Sequence, residues 1–285
     1  MTALKLLENC KSHIRGNRPL FIQGVWLTIA FLLMIVITQL EEGRPYLVGL
    51  AALLAATLPW IKRRFTPLHT AILGYMAGFL LYRAFNDWIG SMMIGHERII
   101  LLNRLSLILI IAPIALLSFM YREKPIPYLG RPDLRAKLFF PFIESGFHQV
   151  TVRTFLIIAF LINAAVFAPF IFMRKESLDP SFFVIAISFA VINSILEEVL
   201  WRGVLLRRFG EAIGVYPGLM VTSLGFGLQH HSLGFDWWIC LLFAGGGIFY
   251  GAVVLRSGSL YPAIVWHGVL NLLMAYSGLI LLQTS

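Results

Sequence analysis

Charged residues are scarce in this 285-residue sequence: Asp, Glu, Lys and Arg together make up 13% of it, against about 25% in an ordinary soluble domain. Hydrophobic residues make up 59%, and the mean hydropathy is +0.81. A water-soluble fold exposes much of its surface and could not hide this much apolar area. The sequence therefore predicts an integral membrane protein whose main solvent is the lipid bilayer.

Cysteine is almost absent as well. Cys10 and Cys240 are the 2 cysteines, and their separation excludes a disulfide framework or a Cys-rich metal site. The net charge is +9, but the basic residues stand in short runs between apolar segments. Such runs are typical of membrane topology and headgroup contact. No basic domain or base-stacking module is present, so we expect no nucleic-acid partner.

Long apolar segments make up most of the sequence. A membrane-crossing helix needs about 17–25 such residues, and several segments reach or approach that length. Because lipid cannot hydrogen-bond the backbone, helices rather than strands are expected. The sequence thus predicts an all-α, polytopic transmembrane helix bundle of about eight or nine spans, the first of them an uncleaved helix. The segments are 20–40, 46–61, 68–82, 99–121, 154–173, 181–206, 217–230, 235–255 and 260–282.

Composition divides the chain into three regions. Residues 1–121 hold N-terminal transmembrane helices to which no role is assigned. Residues 122–153 are rich in Pro, Gly and basic residues, and they predict a cytoplasmic linker with an amphipathic segment on the membrane surface. Residues 154–285 hold the unusual polar residues. A nine-span count puts most Lys and Arg on the side of the N-terminus, which favours a cytoplasmic N-terminus.

Three ionisable residues lie in the apolar segment 181–206. An ionisable group at membrane depth costs at least about 2.5 kcal/mol, so each needs a reason. In a regular helix, Glu198 and Arg202 are one turn apart and can form an ion pair, whereas Glu197 faces another direction. The spacing therefore predicts one neutralised and one unpaired carboxylate. A charge cluster at the helix end is the structural alternative.

Two later segments carry further polar residues. Phe226 precedes the pair His230-His231, and His267 precedes Asn271 by one helical turn, so that both lie on one face. A lone histidine in a membrane helix usually has a packing role. Here, however, one segment contributes glutamates, a second contributes a histidine, and a third contributes a histidine and an asparagine. Such a set predicts that these side chains converge on one site.

The order Glu-Glu-x-x-x-Arg, Phe-x-x-x-His and His-x-x-x-Asn resembles the motifs of the CAAX-protease and bacteriocin-processing family, also called CPBP or Abi. Ras-converting CAAX endopeptidases belong to that family. The resemblance covers roughly residues 181–275. It implies that residues 154–285 form a CPBP-like intramembrane protease core, which needs neither a metal nor another cofactor.

The resemblance also implies residue roles. Its implied catalytic residues are Glu197, His230, His267 and Asn271. Its implied supporting residues are Glu198, Arg202 and Phe226. The catalytic glutamate would activate a water as general base, the first histidine would hold that water, and the last two residues would stabilise the oxyanion. The adjacent His231 leaves open which of the two neighbouring histidines acts.

The expected function is cleavage of a membrane-attached peptide or protein near its terminus. CAAX-like proteins, bacteriocin precursors and proteins with a sorting tag are all candidate substrates. The size of the chain favours a multi-pass protein of the prokaryotic plasma membrane, with the endoplasmic reticulum membrane as the alternative. The oligomeric state stays open.

Other classes of protein remain as alternatives. The histidines, glutamates and asparagine could ligate zinc, although the sequence lacks His-Glu-x-x-His and His96-Glu97 is followed by Arg98. A cysteine protease is disfavoured because Cys240 has no suitably spaced histidine. Buried carboxylates also mark ion pathways, so a transporter, scaffold or immunity protein is the non-enzymatic alternative.

Overall fold

The fold is known from a computed structural model that describes residues 18–40, 42–120, 128–141, 143, 145–174 and 180–280. Cys10 and parts of the predicted linker lie outside these residues. Nearly all described residues are helical, so the chain is an all-α polytopic membrane protein, as its sequence predicts. The α-helices are α1 (Arg18–Thr38), α2 (Arg44–Thr57), α3 (Thr66–Gly90), α4 (His96–Leu105), α5 (Ile108–Met120), α6 (Val152–Phe172), α7 (Pro180–Glu198), α8 (Leu206–Ile213), α9 (Val215–Leu228), α10 (Trp237–Ser257) and α11 (Tyr261–Ser277).

Each predicted apolar segment contains a helix. Among the described residues, 5 continuous helical stretches are long and apolar enough to cross a membrane. The remaining predicted segments form helices that fail one of these two requirements: α3 has 25 residues but is not apolar enough, and the others are too short. A count of eight or nine spans therefore stays a prediction. The candidate spans are Pro19–Thr38, His96–Met120, Val152–Phe172, Phe182–Ile213 and Trp237–Ser257.

The predicted linker contains a β-hairpin, which the sequence analysis did not foresee. Strands β1 (Lys137–Pro141) and β2 (Gly146–Thr151) pair antiparallel, with Leu138 opposite Val150. Aromatic and β-branched residues favour extended backbone in both strands. The expectation of helices rather than strands concerned the membrane spans, because an open strand cannot span lipid. For residues 122–153 the sequence predicted only a linker with an amphipathic segment, which a short hairpin does not contradict. The membrane-surface placement of this segment stays a prediction.

The described chain forms two compact units. The first lies within Met1–Ala84, Ile108–Pro127 and Leu200–Gly251. Its core is an aromatic cluster in which the Phe31 ring lies 6.5 Å from Tyr75, 6.3 Å from Trp201 and 4.8 Å from Phe209. All of these contacts are edge-on, the geometry that aromatic rings prefer. Large rings from two distant stretches of the chain thus fill the centre of this unit.

The second unit lies within Phe85–Leu107, Tyr128–Val199 and Ala252–Ser285. Here α7 packs closely on α11 because small residues meet at their contact: a Cβ atom added to Gly268 would lie 3.2 Å from Ser194 Oγ. Helix α6 also packs on α11, through Phe155 and Trp266, whose rings lie 5.4 Å apart. Helix α11 is therefore held from two sides, which fixes the orientation of its polar residues.

Exposed apolar side chains support the membrane assignment. On α6, Ile158, Leu161 and Val166 are all exposed, as is Phe172 at its end. A soluble protein rarely exposes so continuous an apolar surface, whereas a lipid-facing helix must do so. The chain is a multi-pass membrane protein, and these side chains face the hydrocarbon region.

Candidate active site

Two carboxylates lie at the end of α7, and both are buried. Glu197 is 3% exposed and Glu198 is 0% exposed. Isolated ionised carboxylates are costly to bury, so both need compensating partners. Among the described residues of this unit, the partner that both approach is His267 on α11.

His267 lies between the two carboxylates. Its Nδ1 atom is 2.9 Å from Glu198 Oε1, which is hydrogen-bonding distance. Its Nε2 atom is 3.7 Å from Glu197 Oε2, which is too long for a hydrogen bond but within ion-pair distance when the ring is protonated. An ionised carboxylate only accepts hydrogen bonds, so Nδ1–H of the ring donates to Glu198. This contact orients the ring and directs Nε2 towards Glu197.

Asn271 follows His267 by one turn of α11 and is also buried. Within the described residues, its Nδ2 atom and Oε2 of Glu197 make no hydrogen bond. Buried polar atoms without a partner are few in native proteins, and a catalytic role is one of the established reasons for them. Asn271 Nδ2, a buried donor, and Glu197 Oε2, a buried acceptor, are therefore available to a reacting group.

The helix changes form directly after Glu198. Residues Val199–Leu205 form a π-helix, in which each N–H bonds five residues back rather than four. The predicted Glu198–Arg202 ion pair assumed regular α-helical spacing, and that assumption does not hold through this segment. The ion pair itself stays a prediction. Short π-helical segments within α-helices occur frequently at functional sites.

In the first unit, Arg202 lies in an aromatic pocket. Its guanidinium carbon is 4.2 Å from the centre of the Phe226 ring and 5.1 Å from that of Tyr250. Its Nη2 donates to the Gly247 carbonyl oxygen at 3.2 Å. Two cation–π contacts and a backbone acceptor stabilise this buried cation. The sequence analysis missed Gly247 and Tyr250, because their contact with Arg202 depends on how α10 packs.

The structure gives the two neighbouring histidines different surroundings. His230 is buried, its Nδ1–H donates to the Phe226 carbonyl oxygen at 2.7 Å, and its ring stacks on Phe243 at 4.4 Å. His231 is partly exposed and bonds instead to the carbonyl of Phe235 at 2.9 Å. In a neutral His230 ring, Nε2 is consequently the acceptor nitrogen. His230, rather than His231, thus belongs to the aromatic cluster around Phe226.

The predicted site residues therefore form two groups. Four of them come together in the second unit: Glu197, Glu198, His267 and Asn271. Three come together in the first unit: Arg202, Phe226 and His230. In the part of the chain that the structure describes, no set of three or more His, Cys, Asp or Glu side chains is arranged to hold a metal ion.

Fold and site together define a multi-pass membrane protein with ionisable side chains buried in its C-terminal helices. Residues 179–273 match a protein-family model described as type II CAAX prenyl endopeptidase, Rce1-like. This match confirms the resemblance to the CAAX-protease family and covers both groups of site residues. At family level, this part of the chain is similar to CAAX-type intramembrane endopeptidases, which are hydrolases of membrane-attached proteins. No curated protein and no solved structure shows significant similarity to the chain.

Proposed function

We propose that this protein is a glutamate-type intramembrane endopeptidase in which Glu197 activates a water molecule. The observation that carries the proposal is the placement of two buried carboxylates on opposite nitrogens of His267, at 2.9 and 3.7 Å. The hydrogen-bonded carboxylate, Glu198, orients the ring. Glu197 lies 3.7 Å from Nε2, beyond hydrogen-bonding distance, and its Oε2 atom makes no hydrogen bond among the described residues, so this oxygen is available for proton transfer.

The reaction follows from these atoms. Glu197 takes a proton from water, and the resulting hydroxide forms a bond to the carbonyl carbon of the scissile peptide. The carbonyl π electrons move to its oxygen. When the tetrahedral intermediate collapses, the C–N bond breaks and Glu197 returns the proton to the leaving amine. A positioned general base of this kind typically contributes about 10²–10⁴ in rate.

His267 and Asn271 supply donors for the oxyanion in this proposal. Asn271 offers a buried amide N–H that lacks a hydrogen-bond partner among the described residues. His267 donates from Nε2 when its ring carries protons on both nitrogens, and the Glu198 carboxylate at 2.9 Å compensates the resulting positive charge. Preorganised donors in a site without bulk water are worth more than donors in water.

The family resemblance assigns the remaining residues. It implies that His230 holds the attacking water, and the acceptor character of its Nε2 is compatible with that role. Arg202 and Phe226 form the supporting cation–π pair of the first unit. We include these roles in the proposal on the strength of the motif match.

The substrate that we propose is a lipid-attached protein cleaved near its C-terminus. Support comes from the matching family model, which describes a CAAX prenyl endopeptidase. A CAAX sequence is a C-terminal motif whose cysteine carries a prenyl group. A bacteriocin precursor or a protein with a sorting tag is the other substrate class, and we place the enzyme in a prokaryotic plasma membrane.

The test is a comparison of protein termini in membrane and secreted fractions. Cells would carry the native chain, Glu197→Gln, or the control Glu211→Gln, which removes a half-exposed carboxylate that pairs with Arg207 on α8. We expect termini that appear with the native chain and the control but vanish with Glu197→Gln, at equal protein levels. Those termini would also identify the substrate.

Identical termini in all three strains would contradict the proposal and favour the transport, scaffold or immunity function. The amount of each variant in the membrane must be measured alongside, because a missing protein would imitate a missing activity. Glu197→Gln preserves the shape of the side chain, so it removes the base with little change in packing.

A further inference from the structure

A buried arginine in the second unit has no part in the mechanism above. Arg104 lies in the last turn of α4, inside the candidate span His96–Met120, and is 8% exposed. No other Lys or Arg among the described residues of this unit is buried. A buried cation within a membrane span is expensive, and where it occurs it is normally functional.

The contacts of Arg104 are made with neutral groups. Its Nε donates to Asn103 Oδ1 at 3.0 Å, and its Nη1 donates to Asn193 Oδ1 at 3.3 Å. Asn103 in turn donates to Asn86 Oδ1 at 2.6 Å. No carboxylate in the described part of the chain forms an ion pair with this guanidinium. The amides fix the position of the positive charge, and the Phe189 ring lies 5.8 Å from the guanidinium carbon, but no described carboxylate neutralises the charge.

The guanidinium also keeps hydrogen-bonding capacity. An arginine side chain has five N–H donors. The structure uses three of them, through Nε and Nη2 to Asn103 and through Nη1 to Asn193. The planar fork of Arg matches a carboxylate, which accepts two parallel hydrogen bonds. Arg104 is therefore equipped to bind one carboxylate in addition to its amide partners.

Asn193 connects this cation to the proposed active site. It precedes Glu197 by four residues on α7, which is one turn or about 6 Å along the helix axis. An extended peptide advances about 3.3–3.6 Å per residue. A carboxylate held by Arg104 would consequently lie a few residues of extended chain away from a peptide bond at Glu197.

We infer that Arg104 binds the free C-terminal carboxylate of the substrate and so determines which peptide bond reaches Glu197. The inference rests on the proposed endopeptidase function and adds a residue that determines specificity. An electrostatic argument supports it: Glu197 and Glu198 repel a substrate carboxylate, so a terminus can bind beside them only where a fixed cation offsets that repulsion. Arg104 is the buried cation in this unit that can do so.

The test uses one prenylated CAAX peptide in two forms, the free acid and the C-terminal amide. Binding of each form is measured to detergent-purified Glu197→Gln protein, in which cleavage is blocked, with and without Arg104→Gln. We expect the acid to bind about ten- to a hundred-fold tighter than the amide, as for hydrogen bonds to charged groups. With Arg104→Gln, the acid should bind no better than the amide.

The control is Arg98→Gln, which removes an exposed arginine from the same helix and should leave the acid preference intact. Arg104→Lys keeps the charge but loses the fork, and we expect it to keep part of the preference. Equal binding of acid and amide to the Glu197→Gln protein, or no binding of either, would overturn the inference even if Arg104→Gln failed to fold.

Cleavage by the native chain separates this inference from the proposed function. An acid preference in binding without any cleavage would refute the proposed function and leave Arg104 as a carboxylate-binding residue. Cleavage that depends on Glu197 but is equally fast for acid and amide would refute the inference alone. If Arg104 had only a structural role, Arg104→Gln would lower protein stability without changing the ratio of the acid and amide binding affinities.

Discussion

Glu198 and His267 form a buried hydrogen bond between α7 and α11, with 2.9 Å between Oε1 and Nδ1. The contact fixes the tautomer and the direction of the imidazole, as a carboxylate does for the histidine of other hydrolytic sites. In the proposed mechanism, Glu198 therefore acts through His267 rather than on the substrate. This relationship leads to the first prediction.

Replacing Glu198 by Gln should lower kcat about ten- to a hundred-fold and leave KM nearly unchanged. The amide retains the shape and one acceptor oxygen, but it loses the charge-assisted part of the hydrogen bond. Peptide hydrolysis by purified protein would measure both parameters. Glu198→Ala should lower kcat further, because it leaves Nδ1–H of His267 buried without its acceptor. Full activity of Glu198→Gln would show that the contact is only structural.

Asn271→Ala should lower kcat about 10²–10³-fold, the usual loss for one oxyanion donor. The amide is buried and should contribute mainly in the transition state, so the Kd of an uncleaved substrate should change little. Binding of a peptide to the variant, measured beside its turnover, checks this separation. A large loss of binding together with an unchanged kcat would contradict it.

His230 and His231 should differ in their effect on activity. His230→Gln removes a buried ring that stacks on Phe243, and we expect loss of most activity. His231→Gln removes a partly exposed ring that stacks on Trp237 at 3.9 Å, and we expect activity near the native value. Turnover of the two variants at matched protein concentration decides between these neighbours. If His231→Gln lost more activity than His230→Gln, His231 rather than His230 would be the residue that holds the attacking water.

Removal of metal ions should leave activity intact. The proposed mechanism assigns proton transfer and oxyanion stabilisation to side chains alone. Dialysis of the purified protein against a zinc chelator, with activity and metal content measured before and after, tests this. Stoichiometric zinc that is lost together with activity, and that restores activity when added back, would establish the zinc protease instead.

Two glycines of α10 provide a matched test of helix packing. A Cβ atom at Gly247 would lie 3.1 Å from the Cα of Ser223, whereas one at Gly245 would meet no described atom within 4 Å. Gly247→Ala should therefore destabilise the protein by about 1–3 kcal/mol through overpacking. Gly245→Ala should be neutral or stabilise by about 0.5–1 kcal/mol. Thermal unfolding in detergent measures the difference, and equal effects would contradict it.

Much of the fold and part of the site follow from the sequence. Apolar runs predict the helices because lipid permits few other structures. His267 and Asn271 share the buried side of α11, as their spacing of four residues in a regular helix predicts. Glu197 and Glu198 are both buried, as expected for carboxylates within an apolar helix. Local periodicity was sufficient for these predictions.

Other features depend on contacts that periodicity does not encode. The π-helix from Val199 to Leu205 breaks the regular spacing on which the predicted ion pair relied. The approach of both carboxylates to His267 depends on the packing of α7 against α11, which small residues such as Gly268 permit. The surroundings of Arg104 are not evident from the sequence either, because one of its two amide partners, Asn193, is 89 residues away.

The hydrogen bond between Glu198 and His267 joins residues that are 69 positions apart in the chain. At a synthesis rate of about 5–20 residues per second, the ribosome adds His267 roughly 3–14 s after Glu198. During that interval the nascent chain carries its carboxylates without the imidazole that lies between them. The proposed protease therefore stays inactive until α11 has been synthesised and has packed against α7.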